Sequence, residues 1–222
     1  LSKVSSKISL VLNNNSFYNI PYDQVTFNGD YSKNNLLINT LQLTHKNTVL
    51  DITGNLINFY PKNIKINIKE FELSTIMNSR LIQYLPVYNI KGKTSGLISL
   101  TKIQQNNTHS LFRDYKIDSS LTITDGKIKN QPFDLLQTDI IFTNNNLTVN
   151  KFNGSLNKSI INFKGSLINF EKLNFICLPE TLIYFNKFPL FHNQPITPKG
   201  SIHIEGNLMG TTSNPNIAMR FS

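Results

Sequence analysis

The feature that most constrains the fold of this chain is a strand-like phrase that occurs twice. The sequence G-x-L-I-N-F begins at Gly54 and again at Gly165, 111 residues later. The same offset, without gaps, also brings Pro21-Tyr22-Asp23 onto Pro132-Phe133-Asp134. Repetition at a fixed interval indicates one supersecondary unit that is present in two copies.

The length of the chain is consistent with two such copies. Its 222 residues are enough for two units of about 100 residues with a sizeable core. We predict two stacked β-repeat units, one at 5–104 and the other at 116–222. Beyond the repeated phrase, we align GLISL (96–100) with GSIHI (200–204). Because the sequence begins at Leu1 and not at Met, we expect a fragment of a longer protein.

Alternating apolar and polar residues predict that the units consist of β-strands. In NIKINIKEFEL, Ile64, Ile66 and Ile68 fall on one face, whereas lysine and asparagine fall on the other. The alternation then slips by one residue, and a β-bulge at Lys69-Glu70 would return Phe71 to the apolar face. The predicted class is therefore all-β.

Turn and helix signals complete the local prediction. Asp125-Gly126 predicts a hairpin turn, and the asparagine-rich stretches 104–108 and 143–147 suit turns because asparagine tolerates left-handed backbone. STIMNSRLIQYL (74–85), with Ser74 as its N-cap, and PETLIYF (179–185) have the strongest helical patterns. We expect one short helix in each unit.

Strands with one apolar face leave two architectures open. Two sheets can close on each other as an antiparallel sandwich with a dry core. Alternatively, one long sheet can curl around its own apolar face. Glycines at strand centres, namely Gly54, Gly165 and Gly206, favour bending and hence the curled sheet.

The charge of the chain does not by itself indicate a nucleic-acid site. The formal net charge is +9, but the lysines are scattered and no basic run reaches four residues. The excess of Lys, Asn and Ile is typical of compositional bias from an AT-rich genome. We predict no nucleic-acid partner, and weak attraction to anionic lipid headgroups stays open.

The residue types that carry chemistry are not arranged for it. His45, His109, His192 and His203 lack metal-ligand spacing, and neither a G-x-S-x-G motif nor a phosphate-binding glycine loop occurs. Cys177 is the only cysteine, so an internal disulfide is excluded, and its apolar surroundings predict a buried, inert thiol. We predict no catalysis, no metal and no cofactor.

Two stretches resemble the TamB family. The closing segment 200–222 contains G-x-I-x-I-x-G-N-L-x-G-T-x-x-x-P-x-I, which is similar to that family's refrain. Residues 121–167 resemble its unit, in which a strand, D-G, P-F and further strands end in G-x-L. The family includes the bacterial translocation and assembly module subunit TamB and its chloroplast inner-envelope counterpart, and AsmA-like relatives share much of the pattern.

The resemblance implies an elongated antiparallel or mixed β-sheet, curled like a taco shell around an apolar groove. It implies a location in the periplasm or the plastid envelope intermembrane space, with an inner-membrane anchor outside this fragment. The implied partners are phospholipid and an outer-membrane β-barrel assembly protein. The implied role is phospholipid transfer, assembly or import of outer-membrane barrel proteins, or both.

The residues predicted to line the groove share an apolar side chain on the alternating face. They are Leu36, Ile38, Ile52, Leu56, Ile64, Ile66, Ile68, Leu147, Val149, Phe163, Leu167, Ile202, Ile204 and Leu208. The main alternative is a structural β-repeat scaffold or adhesin with a closed core. A polyanion-binding module is a third hypothesis.

Overall fold

The computed structural model of the protein describes residues 5–17, 20–77, 90–103, 114–128, 131–185 and 199–222. Nearly all of these residues lie in strands, with one short helix, α1 (Leu73–Met77). The strands are β1 (Ser5–Phe17), β2 (Ile20–Ser32), β3 (Asn35–His45), β4 (Thr48–Ile57), β5 (Tyr60–Glu72), β6 (Ile90–Lys102), β7 (Tyr115–Ile128), β8 (Gln131–Thr143), β9 (Asn146–Leu156), β10 (Ser159–Ile168), β11 (Lys172–Tyr184), β12 (Ser201–Thr211) and β13 (Pro215–Phe221).

The strands form one antiparallel sheet in which every strand pairs with its neighbours in sequence. The order runs from β1 to β13 without a crossover, and the sheet is curled and unclosed. The all-β class and the elongated, curled sheet are therefore confirmed. Because the described strands belong to a single sheet, a sandwich of two sheets is excluded for this part of the chain.

Tight turns with left-handed backbone connect the central hairpins. Both residues of Lys33-Asn34, Asn58-Phe59, Asn144-Asn145 and Asn169-Phe170 have φ between 46° and 63°. Two successive positive φ values define type I′ geometry, whose twist matches that of the flanking strands. The N-F ending of the repeated phrase is thus a turn, and the turn expected within 143–147 is confirmed. The stretch 104–108 lies outside the described residues.

The two copies correspond strand by strand. The bounds of β2, β3 and β4 and those of β8, β9 and β10 differ by 111 at both ends, and β6 and β12 begin at Ile90 and Ser201, again 111 apart. The alignment of 96–100 with 200–204 is therefore wrong. The division into 5–104 and 116–222 stays a prediction, because one continuous sheet runs through both ranges.

The predicted bulge at Lys69-Glu70 is confirmed. The register between β5 and β6 shifts between Ile68 and Phe71, and Glu70 has a φ of 48°. The extra residue keeps Phe71 on the apolar side, where its side chain is buried.

The expected hairpin turn at Asp125-Gly126 is wrong. Strand β7 continues through both residues, Gly126 pairs with Phe133, and the register with β6 shifts opposite this point. A single residue in the left-handed region, here Asp125 with a φ of 50°, suits a bulge as well as a turn. The ring of Phe133 covers Gly126 so closely that a Cβ there would overlap it.

The helix predictions are corrected in the second unit and only partly testable in the first. Helix α1 begins at Leu73, one residue before the predicted N-cap, and residues 78–85 lie outside the described residues. Residues 179–184 are not helical but belong to β11, where the register with β12 shifts between Cys177 and Thr181. Pro179 lies in this bulge, where a residue without an N–H breaks no ladder bond.

Candidate functional site

The fourteen residues predicted to line the groove lie on one face of the sheet. Directly paired residues of antiparallel strands point to the same side, and the register pairs Leu36 with Leu56 and Ile52 with Ile66. The chain of pairs continues through β6, β7 and β8 to β9, and from there to β12. We call this side, from β1 to β13, the apolar face.

Burial places the apolar face on the inside of the curl. In β5, Ile64 is buried and Ile66 and Ile68 are half-buried, whereas Lys65 and Asn67 between them are exposed. Of the fourteen predicted residues, three are buried and eleven are half-buried. From β2 to β12 the apolar face is therefore shielded by curvature but not packed to the density of a closed core. In the edge strands β1 and β13 its residues are exposed, as Leu10 and Ile217 are.

Aromatic residues that the sequence analysis missed extend the apolar face in the second unit. The Phe163 ring stacks on Phe152, with centroids 4.1 Å apart, and meets Phe175 edge-on at 6.0 Å. Phe175 pairs with Gly165 as Ile64 pairs with Gly54. The 111-residue offset applied to Ile64 would have identified Phe175 from the sequence.

A cavity of about 390 Å³ opens on this face near β13. It is lined by Phe163, Phe175, Cys177, Leu208 and Met219, so hydrocarbon groups and one thiol form its walls. The prediction that Cys177 is buried is wrong: it is half-buried at the cavity wall, and its Sγ lies 3.3 Å from the Oγ1 of Thr181. The cavity suits an apolar group held by contact area more than by directional hydrogen bonds.

Two equivalent glycines lie where neighbouring strands approach each other closely. Gly54 and Gly165 have φ values of +147° and +157°, which residues with a Cβ rarely adopt. A Cβ would lie 2.1 Å from the Asn63 carbonyl oxygen at Gly54 and 2.2 Å from the Asn174 carbonyl oxygen at Gly165. The neighbouring backbone therefore lies so close at these points that the repeated G-x-L phrase leaves no room for a Cβ in either copy.

The repeated Pro-aromatic-Asp motif contributes to the turns of both copies. The Asp23 carboxylate accepts a hydrogen bond from the Lys46 amide at 2.7 Å and lies 3.1 Å from Nδ1 of His45. Its counterpart Asp134 accepts one from the Asn157 amide at 3.1 Å. Asp23 thus supplies an acceptor for a backbone amide of the β3–β4 turn, and Asp134 does the same in the β9–β10 turn. The hydrogen bond from Lys46, followed by that from His45, lowers the pKa of Asp23.

The other titratable groups are dispersed. His203 is exposed on the polar side of β12, and His109 and His192 lie outside the described residues. Burial, followed by the Asp114 charge, raises the pKa of Tyr115. Within the described ranges, no group of three or more His, Cys, Asp or Glu residues could hold a metal ion.

The described part of the chain also contains no helix that is long and apolar enough to cross a membrane. In comparisons with family models, with curated proteins and with solved structures, nothing matches this chain.

Proposed function

We propose that this chain is a non-catalytic β-groove segment that offers an apolar channel for phospholipid acyl chains. The observation that carries the proposal is the continuous apolar face along one unclosed sheet. Half-buried isoleucines, leucines and phenylalanines in every part of this face leave apolar area that a ligand can cover.

The energetics of such a groove suit acyl chains. Each methylene transferred from water contributes about 0.8 kcal/mol, so a chain of many methylenes binds without specific hydrogen bonds. The reverse side of the sheet is polar in β5, where Lys65, Asn67 and Lys69 are exposed, although exposed apolar residues such as Leu97 and Met209 also lie on that side. A lipid headgroup would stay at the edge of the sheet, where water and polar side chains remain accessible.

The resemblance to the TamB family supplies the setting of the proposal. In keeping with that resemblance, we propose that the groove lies between two membranes, in the periplasm or the plastid envelope, with an outer-membrane β-barrel assembly protein as partner. Unfolded strands of barrel proteins are the second cargo that an apolar groove of this kind would accept.

The first experiment is lipid extraction and mass spectrometry of the purified chain. We expect copurified phospholipid, because the apolar face is otherwise left in contact with water. A chain that carries none after expression in a lipid-containing host would favour the structural scaffold.

The second experiment places a charge on the apolar face and measures phospholipid transfer between vesicles. Ile66→Lys and Phe163→Glu should abolish transfer, because a buried charge excludes acyl chains. The matched controls are Asn67→Lys and Lys164→Glu, which change neighbouring exposed residues on the opposite face. Transfer that persists in folded Ile66→Lys and Phe163→Glu proteins would contradict the proposal.

A further inference from the structure

Two neighbouring turns lie side by side at one end of the strands. The β2–β3 turn contains Lys33 and Asn34, and the β4–β5 turn contains Asn58 and Phe59. The Asn58 amide donates a hydrogen bond to the Asn34 carbonyl oxygen at 2.7 Å, so the turns lie side by side. Side chains from both turns therefore share one surface.

The aromatic content of this surface is not explained by the turn itself. Phe59 has a φ of 63°, a conformation that favours glycine or asparagine. In addition, 69% of its surface is exposed, so burial does not explain the choice of phenylalanine. Its ring stacks on Tyr31, with centroids 6.4 Å apart, and the next residue, Tyr60, is 45% exposed. A large apolar group is thus held towards solvent at a position where a smaller residue would relieve backbone strain.

Positive charge accompanies these aromatic rings. Lys33 and Lys62 are both exposed, and neither 31–34 nor 57–62 contains an acidic residue. Exposed aromatic rings beside lysines are the combination that binds the headgroup layer of an anionic bilayer. The rings insert at the level of the headgroups, and the lysines interact with phosphate.

We propose that this surface docks onto an anionic lipid bilayer. We call it the first tip and define it as Tyr31, Lys33, Phe59, Tyr60 and Lys62. Because Tyr31 pairs with Leu36, the first tip adjoins the apolar face. Docking would bring one edge of the groove to the headgroups. The inference does not depend on what the groove carries, since binding to vesicles is measured separately from transfer.

The second unit contains a natural comparison. The second tip, defined as Phe142, Asn144, Phe170, Glu171 and Lys172, has the same type of turn and an aromatic pair 5.6 Å apart. Asn144 replaces Lys33, and Glu171 stands beside Lys172, so this tip has no net charge. We expect it to contribute less to binding of anionic vesicles.

The first test compares flotation with vesicles of phosphatidylcholine alone and of phosphatidylcholine mixed with phosphatidylglycerol. The chain should bind the mixed vesicles more tightly, and Lys33→Asn should weaken that binding about fivefold. Lys46→Asn is the matched control. Both lysines occupy left-handed turn positions, both counterparts in the second unit are asparagine, and Lys46 lies at the opposite edge. Equal effects of the two variants would overturn the proposal.

The second test separates binding from folding. Phe59→Gly should reduce binding to mixed vesicles about tenfold, because one aromatic side chain no longer enters the bilayer. The same change suits the turn conformation, so the temperature of thermal unfolding should stay the same or rise. Phe170→Gly should have a smaller effect on binding. Unchanged binding of Phe59→Gly, or a wild-type chain that binds neither vesicle, would also overturn the proposal.

Discussion

The two copies of the unit agree closely in one half and diverge in the other. From β1 to β4 and from β7 to β10, most left-handed residues recur at the same offset, as Asn14 and Asp125 do and as Lys46 and Asn157 do. The carboxylates of Asp23 and Asp134 recur as well. What is kept in this half is the set of residues that determine backbone conformation, whereas the other side chains vary.

The copies diverge at the bulges of β5 and β11. In the first unit, two residues, Lys69 and Glu70, stand opposite Ser95 of β6. In the second unit, the three residues 178–180 stand opposite Glu205 of β12. The sheet thus absorbs an inserted residue at a bulge, next to the connection to the following strand, without losing register beyond it. Glycine is kept at the strand centres, where neighbouring backbones lie close, and length varies at the bulge.

The largest effect is expected at a strand-centre glycine, where the backbones lie close, and not at a bulge. Gly165→Ala would place a Cβ 2.2 Å from a backbone oxygen, and we expect a loss of about 3 kcal/mol in the free energy of unfolding. The control is Gly154→Ala, where the nearest atom to an added Cβ is a side-chain carbon of Phe152 at 3.4 Å. Urea unfolding of both variants measures the difference in the free energy of unfolding. Similar values would mean that the close backbone approach does not require glycine at position 165.

A smaller effect is expected at the divergent bulge. Thr181 is buried, and its hydroxyl bonds with both the amide and the carbonyl of Asn162 at 3.0 Å. Thr181→Val should destabilise the chain by about 2 kcal/mol, because the Asn162 groups lose a partner. Urea unfolding measures this loss of stability. In the same variant, hydrogen exchange at the Asn162 amide should become faster.

The control is Thr94 of β6, which pairs with Phe71 next to the bulge of the first unit. Its Oγ1 is buried and makes no hydrogen bond within the described part of the chain. Thr94→Val should therefore stabilise the chain by about 1 kcal/mol, opposite in sign to Thr181→Val. If both substitutions destabilise equally, hydrogen bonding does not hold the wider bulge together.

The smallest effect concerns the pH dependence of the β3–β4 turn, which recurs in the second unit. The folded-state pKa of Asp23 lies below its unfolded value. Its contribution to stability is therefore complete above the unfolded pKa and is lost as the pH falls through the folded pKa. The Lys46 amide proton, followed by NMR, should shift in this acidic range, and Asp23→Asn should remove that shift. A Lys46 titration that persists in Asp23→Asn would show that the Asp23 carboxylate is not its source.

Much of the fold could be predicted from the sequence because the signals are local. Alternation at Ile64, Ile66 and Ile68 assigns one face, and the slip at Lys69-Glu70 reveals the bulge. The groove residues share this face because, within each strand, the predicted residues alternate in one frame with no bulge between them. Phe152 and Phe175 were missed because register, not composition, brings them beside Phe163.

The errors arose where one local signal suits two structures. Asp125 in a left-handed conformation fits a turn or a bulge, and pairing with β6 and β8 decides between them. Pro179 fits the first turn of a helix or a strand bulge, and Leu182 and Ile183 pair with His203 and Ile202 of β12. Long-range pairing therefore overrides the local preference in both cases.

The uncrossed strand order has a consequence for how the protein is made. Each strand pairs only with its predecessor and its successor, so most of the loops that must close between paired strands are short. A chain that emerges gradually from a ribosome or a translocation pore can add strands one after another, without waiting for a distant segment. Such growth from one end would keep the unfinished polypeptide from exposing more than one new edge at a time.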